Sequence, residues 1–124
     1  LGLAQSGTDY QKIVLRREAF RGAVRLLFES VDFIAVPAQA FAAPTLAKMA
    51  ALGEDASLIA GLLRFTCPFD MTGSPTITLP AGFAPNGGPV AFQFVGRHFD
   101  EAGLVRAGDA FQRVTDWHTR HPAL

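Results

Sequence analysis

Two side chains near the middle of the chain are of types that could act as nucleophiles. Ser74 lies in the sequence Gly-Ser-Pro, which resembles part of a nucleophile elbow. An elbow, however, needs a second glycine and a turn from strand to helix, whereas Pro75 precedes a run of β-type residues. Cys67, the single cysteine, lies at the end of an apolar helical pattern and before a proline, a context typical of an inert core thiol. We therefore interpret Ser74 as a turn residue and Cys67 as a structural one.

The three histidines offer two further patterns with chemical potential. His118 and His121 are three residues apart, so a continuous helix would direct both at one metal ion. A proline and the chain end follow, which indicates a solvated terminus, and two imidazoles without a third ligand make a poor zinc site. His98 with Asp100 and Glu101 fits a general base with its orienting carboxylate, but equally a loop and a helix cap. We predict the second arrangement, and neither a bound metal nor a cofactor.

Composition limits the class of protein. The chain has 124 residues, enough for one domain over residues 1–124 with a modest core. Its eleven basic and eleven acidic side chains cancel and form no block of one sign, so neither a nucleic-acid partner nor an anionic membrane is expected. No apolar stretch approaches the length that a bilayer requires, and no signal peptide is visible. A single cysteine excludes an internal disulfide and fits a reducing compartment, so we expect a cytoplasmic protein.

The apolar content is high for a chain of this size. Hydrophobic residues make up 49% of the sequence, and eleven of them are phenylalanines. A small domain has too little interior for so many large side chains. We therefore expect part of this apolar surface to be covered by a neighbouring domain or another subunit, and a homo-oligomer is one such arrangement.

Hydrophobic periodicity predicts the elements that would position these residues. Apolar residues recur at helical spacing over residues 8–29, with Ser6 or Thr8 as the N-cap. A short apolar run ended by a proline, residues 31–36, predicts a buried strand of a parallel or mixed sheet. Helical patterns follow at 45–52 and 57–65, and β-type runs at 76–79 and 90–95, which we expect to be adjacent and antiparallel. A last helix begins at the N-cap Asp100 and carries an apolar stripe that comprises Leu104, Ala107, Phe111, Val114 and Trp117.

This order of elements predicts an α/β fold in which helices pack on a small mixed β-sheet. The segment between the helical pattern at 57–65 and the strand at 76–79 contains Pro68, Gly73 and Pro75. We expect Pro68 to stop the preceding helix and the segment to be irregular. Within the strand at 90–95, Gln93 is polar among apolar neighbours and needs a hydrogen-bond partner if it is buried. A backbone group of a neighbouring strand is the expected partner.

Four segments, in this order and spacing, resemble the C-terminal end of the amidase signature family. They are DFIAVP at residues 32–37, PFDMTGSPTITLPAGF at 68–83, GPVAFQFVGRHFDEAGLVRAGDAF at 88–111 and VTDWHTRHP at 114–122. Each segment alone is a weak signal, but their order and spacing are specific, and the resemblance covers nearly the whole chain. It implies a mixed β-sheet flanked by helices and a parent enzyme that hydrolyses amides.

The resemblance also implies a catalytic apparatus, in which a serine nucleophile is activated through a second serine and a lysine. In the family these residues lie upstream of the segments matched here. The two lysines of this chain, Lys12 and Lys48, do not lie in a Gly/Ser-rich context. We therefore predict no catalytic residue in this chain. It would be a C-terminal fragment of an amidase hydrolase, inactive alone and partnered by the rest of the amidase chain or another subunit. The alternative is a non-catalytic homodimeric or partner-binding domain derived from an amidase.

The candidate substrate-binding segment comprises Phe69, Asp70, Met71 and Thr72. It lies between a helix end and a strand, where loops often carry function. The resemblance implies that this region helps to wall the acyl pocket, and a purely structural turn is the competing interpretation. Asp70 departs from the family, which commonly has Asn at this position, so that an acceptor replaces an amide donor.

Overall fold

The computed structural model describes residues 2–121. Among these residues it contains five α-helices and three strands. The helices are α1 (Gly7–Leu27), α2 (Leu46–Ala50), α3 (Ala56–Leu63), α4 (Cys67–Thr72) and α5 (Glu101–Arg113), and the strands are β1 (Ile34–Pro37), β2 (Thr76–Phe83) and β3 (Pro89–Val95). Short 3-10 turns lie at Gly2–Ala4 and Trp117–Thr119. Within residues 2–121, no helix combines the length and the apolar character needed to cross a bilayer.

The three strands form one sheet in the order β1, β3, β2. The predicted fold class, helices packed on a small sheet, is confirmed, as is the antiparallel pairing of β2 with β3. The direction of the first strand differs from the prediction, because β1 pairs antiparallel with β3 in the register Ile34 to Val95. Burial explains the difference: Ile34 and Val36 face inward while Ala35 is exposed, and one buried face is typical of antiparallel strands. Among the described residues, all pairings in the sheet are therefore antiparallel.

The helices cover the sheet from both faces. Successive side chains of a strand point to opposite faces, and on β3 this alternation separates Val95 from Phe92. Val95 is fully buried in a cluster with Val24 of α1 and with Phe28, which directly follows that helix. Phe92 packs edge to face on Phe111 of α5, with the ring centres 4.9 Å apart. The sheet is thus the middle of three layers, with α1 on one side and α5 on the other.

Polar side chains define the starts of the helices. Ser6, one of the two predicted caps of α1, accepts a hydrogen bond from the Asp9 amide at 3.1 Å. Asp100 caps α5 as predicted and accepts a hydrogen bond from the Gly103 amide at 3.0 Å. Asp55, which was not predicted as a cap, caps α3. These side chains satisfy amide groups that the first turn of a helix leaves without partners.

The last helix is shorter than its apolar stripe predicts. α5 ends at Arg113, so Val114 is 81% exposed and Trp117 lies in the following 3-10 turn. The hydroxyl of Thr115 donates to the Phe111 carbonyl at 2.9 Å. A threonine hydroxyl that bonds a nearby carbonyl offers the backbone an alternative to a further helical turn. The predicted continuation of the stripe through Val114 and Trp117 is therefore wrong.

The cap of α3 predicts a dependence of stability on pH. The Ser57 hydroxyl and then the Leu58 amide donate to the Asp55 carboxylate, and these bonds hold the pKa of Asp55 below its ordinary value. A lowered pKa in the folded state means that the stabilisation is complete above the ordinary aspartate pKa of about 3.9 and is lost as the pH falls through the lower folded value. We expect the free energy of unfolding to decrease over this acid range.

Urea unfolding at a series of pH values measures this decrease. The Asp55→Asn variant retains a capping oxygen without the titration. Its unfolding free energy should therefore fall less between about pH 4 and pH 2 than that of the unaltered chain. Equal acid sensitivity of the two proteins would contradict the assignment.

Candidate functional site

The predicted substrate-binding segment is helical rather than irregular. Its four residues, Phe69 to Thr72, lie in α4, where Pro68 occupies the first turn and Gly73 follows the end with φ of 72°. Proline is tolerated in the first turn because an amide there has no partner within the helix. Glycine adopts the left-handed conformation that closes many helices without steric cost. Pro68 therefore begins a helix instead of stopping one, and the predicted loop is corrected to a helical turn.

The four candidate residues divide between the surface and the interior. Asp70 is exposed and Met71 is 43% exposed, so both side chains can reach a ligand or a neighbouring segment. Phe69 is half-buried and packs against the cluster of Val24, Phe28 and Val95. Thr72 is 2% exposed. The helix thus presents two of the candidate side chains outward and is anchored by the other two.

The buried hydroxyl of Thr72 is fully bonded. Its Oγ1 donates to the Phe69 carbonyl at 3.1 Å and lies 2.8 Å from Oγ of Ser74. Ser74 is half-buried just beyond the helix, where its amide donates to the same Phe69 carbonyl at 3.2 Å. These bonds tie the end of α4 to the start of β2. Ser74 thus has the structural role that its sequence context predicts.

The lysines lie apart from this hydroxyl pair. Lys12 Nζ bonds Asp9 at 3.2 Å on the exposed face of α1. Lys48 belongs to α2, whose residues are exposed. Among residues 2–121, neither lysine side chain hydrogen-bonds a serine hydroxyl. A Ser-Ser-Lys relay is therefore not assembled within the described part of the chain.

The histidines and the cysteine occupy separate positions. His98 is exposed on the loop after β3, His118 is exposed in the last 3-10 turn, and His121 is exposed beyond it, so His118 and His121 do not share a helix. Pro122, which entered the prediction for them, lies outside the described residues. Cys67 begins α4 and is half-buried as a free thiol. No cluster of three or more potential metal ligands occurs among residues 2–121.

A groove runs along α4 where it meets α1 and α3. It has a volume of about 560 Å³ and contains Cys67 and Met71 of α4. Its other apolar side chains come from the two longer helices and include Ile13, Phe20 and Leu63. Three arginines, Arg16, Arg17 and Arg64, also line it. We call this feature the basic groove, and it was not predicted from the sequence because its walls come from three separate helices.

Hydrogen bonds across the fold hold the helices that form the basic groove. Arg17 Nε donates to the Met71 carbonyl at 2.7 Å and so joins α1 to α4. Gln93 is 3% exposed, and its amide donates to the carbonyl of Phe65, just ahead of α4. Gln93 is thus buried and has a backbone partner as predicted, but the predicted location of that partner in a neighbouring strand is wrong, because Phe65 lies in the connection between α3 and α4. This bond fixes the entry to α4 relative to β3.

A second arginine, Arg97, hydrogen-bonds backbone carbonyls at the C-terminal end of α1. Arg97 donates to the Phe28 carbonyl through Nε at 3.1 Å and through Nη2 at 2.9 Å. Nη2 also lies 3.2 Å from the Val31 carbonyl and 3.4 Å from Asp32 Oδ1. The last carbonyls of a helix have no partner within the helix and attract a positive charge. Arg97 was not predicted to have this role, because its partners are more than sixty residues away in the chain.

Comparison with known proteins relates the described geometry to one family. A family model described as Amidase matches residues 2–105. A putative amidase, AmiD, of Mycobacterium tuberculosis is 45% identical over 119 residues, which cover 96% of this chain and 25% of the relative. A glutamyl-tRNA(Gln) amidotransferase component from Roseiflexus castenholzii is 42% identical over 118 residues, which cover 93% of this chain and 23% of the relative. The chain therefore spans about a quarter of the length of these relatives.

Solved structures share the fold. 6-Aminohexanoate cyclic dimer hydrolase in complex with substrate superposes with a TM-score of 0.82 at 22% identity. The matched region covers 96% of this chain and 27% of the hydrolase chain. A structure described as an amidase superposes with a TM-score of 0.76 at 29% identity. The matched region covers 90% of this chain and 26% of the amidase chain. In both, the matched region is again about a quarter of the larger protein.

Proposed function

This chain belongs to the amidase family, and from that premise we propose that it is the C-terminal part of an amide-hydrolysing enzyme. In this role it supplies the sheet, the packing helices and a section of the substrate pocket wall. The catalytic serines and lysine belong to the rest of the parent polypeptide or to another subunit, so the chain is inactive alone. A cytoplasmic location, which fits the unpaired thiol of Cys67, is part of the proposal.

The observation that carries this proposal is the combination of family membership with partial length. The family match extends over most of the chain, yet the relatives are about four times longer. Hydrolysis by a serine nucleophile needs a base within hydrogen-bond reach. Within residues 2–121, the Thr72 and Ser74 hydroxyls bond each other without a lysine. The scaffold of a hydrolase is thus present, while the activating group has to come from outside these residues.

α4 is the element proposed to wall the pocket. Of its exposed residues, Asp70 lies outside the basic groove and is the one proposed to touch a substrate, whereas Met71 lines the groove beside it. Phe69 and Thr72 hold the helix at a fixed position, through packing in the core and through the hydroxyl bonds described above. A wall that is anchored in this way keeps its contacts in place during the reaction.

A chimera tests the proposed function. We expect the purified 124-residue chain to hydrolyse no member of a panel of simple amides above background. The mycobacterial relative AmiD, with its matching quarter replaced by this chain, should hydrolyse whichever amides the unaltered relative accepts. Liquid chromatography of the released carboxylic acid measures both. Hydrolysis by the isolated chain, or a folded chimera without activity, would contradict the proposal.

Substitution of Asp70 in the chimera tests the pocket wall. Removing a carboxylate that hydrogen-bonds the substrate costs about 1.5–3 kcal/mol, so Asp70→Ala should lower kcat/KM by about ten- to a hundredfold. Asp70→Asn keeps an oxygen acceptor and should retain most of the activity. Asp109→Ala, on the exposed face of α5, is the matched control and should change kcat/KM by less than about twofold. Equal effects of Asp70→Ala and Asp109→Ala would remove Asp70 from the wall.

Exposed apolar side chains support a second candidate, a non-catalytic domain derived from an amidase that acts as a homodimer or binds a partner. Leu3, Leu46 and Phe99 are each at least 90% exposed. Phe99 also holds a left-handed backbone with φ of 66°, which is unusual for a residue other than glycine. Sedimentation of the isolated chain measures its oligomeric state. A stable dimer together with an inactive, folded chimera would favour this second candidate.

A further inference from the structure

Several apolar side chains of the basic groove are exposed in the described part of the chain. Ile13 of α1 is 49% exposed, Leu63 of α3 is 45% exposed and Met71 of α4 is 43% exposed. These side chains converge on one concavity rather than being scattered over the surface. Apolar side chains grouped in one place together with charged ones are suited to a contact with another segment of chain.

The charges around the basic groove indicate the chemistry of the surface that would bind there. Arg16, Arg17 and Arg64 line it, and no carboxylate is found among its described lining residues. Arg64 stacks over the Phe65 ring at 5.7 Å, which keeps its guanidinium close to the apolar surface. The whole chain has no net charge, so this is a local concentration of positive charge. The complementary surface is an apolar ridge flanked by carboxylates.

A second copy of the chain does not offer that complement. Two identical chains usually associate around a twofold axis, with the same patch on both sides of the interface. Groove against groove would then place the three arginines of one copy opposite those of the other. Like charges in close contact oppose such a pairing.

We propose that the basic groove binds an apolar segment flanked by carboxylates, contributed by the part of the amidase polypeptide that lies outside these 124 residues. The inference rests on the proposed function, because the relatives that share this fold are about four times as long and so contain further chain that is available to cover the groove. α4 belongs both to the basic groove and to the proposed pocket wall. A segment seated in the groove would therefore hold the remainder of the enzyme against the face that carries Asp70.

Cys67 provides a reporter inside the basic groove. It is the single cysteine of the chain, it is half-buried, and it lines the groove. The sequence context predicts an inert core thiol, but Cys67 is only half-buried, so a thiol reagent should modify it in the isolated chain. In the chimera with AmiD, whose own cysteines are changed to serine, occupation of the groove should slow the modification by about tenfold or more. Modification in urea gives the reference rate of the unprotected thiol for both proteins.

A matched reporter and a charge reversal complete the experiment. Val114→Cys in a Cys67→Ser background places a thiol on an exposed site outside the basic groove, and its rate should differ by less than about threefold between chain and chimera. Arg16→Glu with Arg64→Glu should restore modification of Cys67 in the chimera, because the carboxylates of the occupant would be repelled. Arg113→Glu, a reversal outside the groove, should not.

The outcomes separate this inference from the proposed function. An active chimera whose Cys67 is as reactive as in the isolated chain overturns the groove assignment and leaves the proposed function standing. A folded, inactive chimera with a protected Cys67 overturns the proposed function and supports the groove. Protection that rises with the concentration of the isolated chain assigns the groove to a second copy and overturns the inference. If the chimera does not fold, the chain is co-expressed with the upstream three quarters of AmiD, and absence of a complex overturns both.

Discussion

Replacing Leu104 by alanine is expected to lower the free energy of unfolding by about 2–5 kcal/mol, the range found for leucine side chains removed from protein cores. Leu104 is 2% exposed and belongs to α5. Its side chain packs directly on the backbone of Gly96, just after β3, where even a methyl group on the glycine would be in close contact. On this side the neighbour is main chain within the sheet layer, which cannot readily move into the space, so we expect a cavity to remain and the cost to be large.

The next residue along α5 supplies the control for Leu104. Val105 is 61% exposed on the surface of the same helix. Val105→Ala removes apolar atoms from a similar backbone position without opening a cavity, so it should change the free energy of unfolding by less than about 0.5 kcal/mol. Urea unfolding followed by circular dichroism measures both variants. A similar small loss for both would show that α5 does not pack on the sheet as described.

Much of the local structure follows from short segments of sequence. The start of α1 at Ser6 and the start of α5 at Asp100 depend on bonds between residues three apart, so a pattern within one turn of helix predicts them. The pairing of β2 with β3 depends on a short connection rich in glycine and proline, which brings consecutive strands together. These features were predicted because their causes lie within about ten residues of one another.

The features that were missed depend on contacts distant in sequence. The direction of β1 is determined by its neighbour β3, more than fifty residues later, and an apolar run carries no information about that direction. The sequence predicts that Pro68 ends a helix because proline interrupts helices, but the same residue is well suited to begin one. Which of the two occurs depends on whether the following residues find a core to pack against, as Phe69 does.

The candidate site likewise combines features that nearby residues predict with features that depend on contacts distant in sequence. The place of residues 69–72 between two elements and the family resemblance predict a substrate-binding segment, but neither indicates which side chains face outward. The burial of Thr72 follows from its hydroxyl bonds to Phe69 and Ser74, which need the helical geometry of α4. The basic groove needs three helices in a defined arrangement, and the residues of each helix alone look like an ordinary amphipathic surface.

Replacing Arg97 by methionine is expected to lower the free energy of unfolding by about 1–3 kcal/mol, because charge-assisted bonds to backbone carbonyls are stronger than neutral ones and the carbonyls would be left without donors. The guanidinium bonds Phe28 and Val31 together, at the point where α1 turns toward β1. Methionine keeps much of the apolar stem and removes the donors. The loss should therefore report on the carbonyl bonds rather than on packing.

Two comparisons separate the carbonyl bonds of Arg97 from its charge. Arg97→Lys retains the charge but not the planar fork that reaches Phe28 through two nitrogens, so it should recover only part of the loss. Arg113→Met removes an arginine whose ion pair with Asp109, at 2.8 Å, lies on the exposed face of α5, and such pairs contribute about 0–1 kcal/mol. If Arg97→Lys were as stable as the unaltered chain, the contribution of Arg97 would come from its charge near the end of α1. If Arg97→Met lost no more than Arg113→Met, the bonds that join α1 to the end of β3 would contribute little to folding.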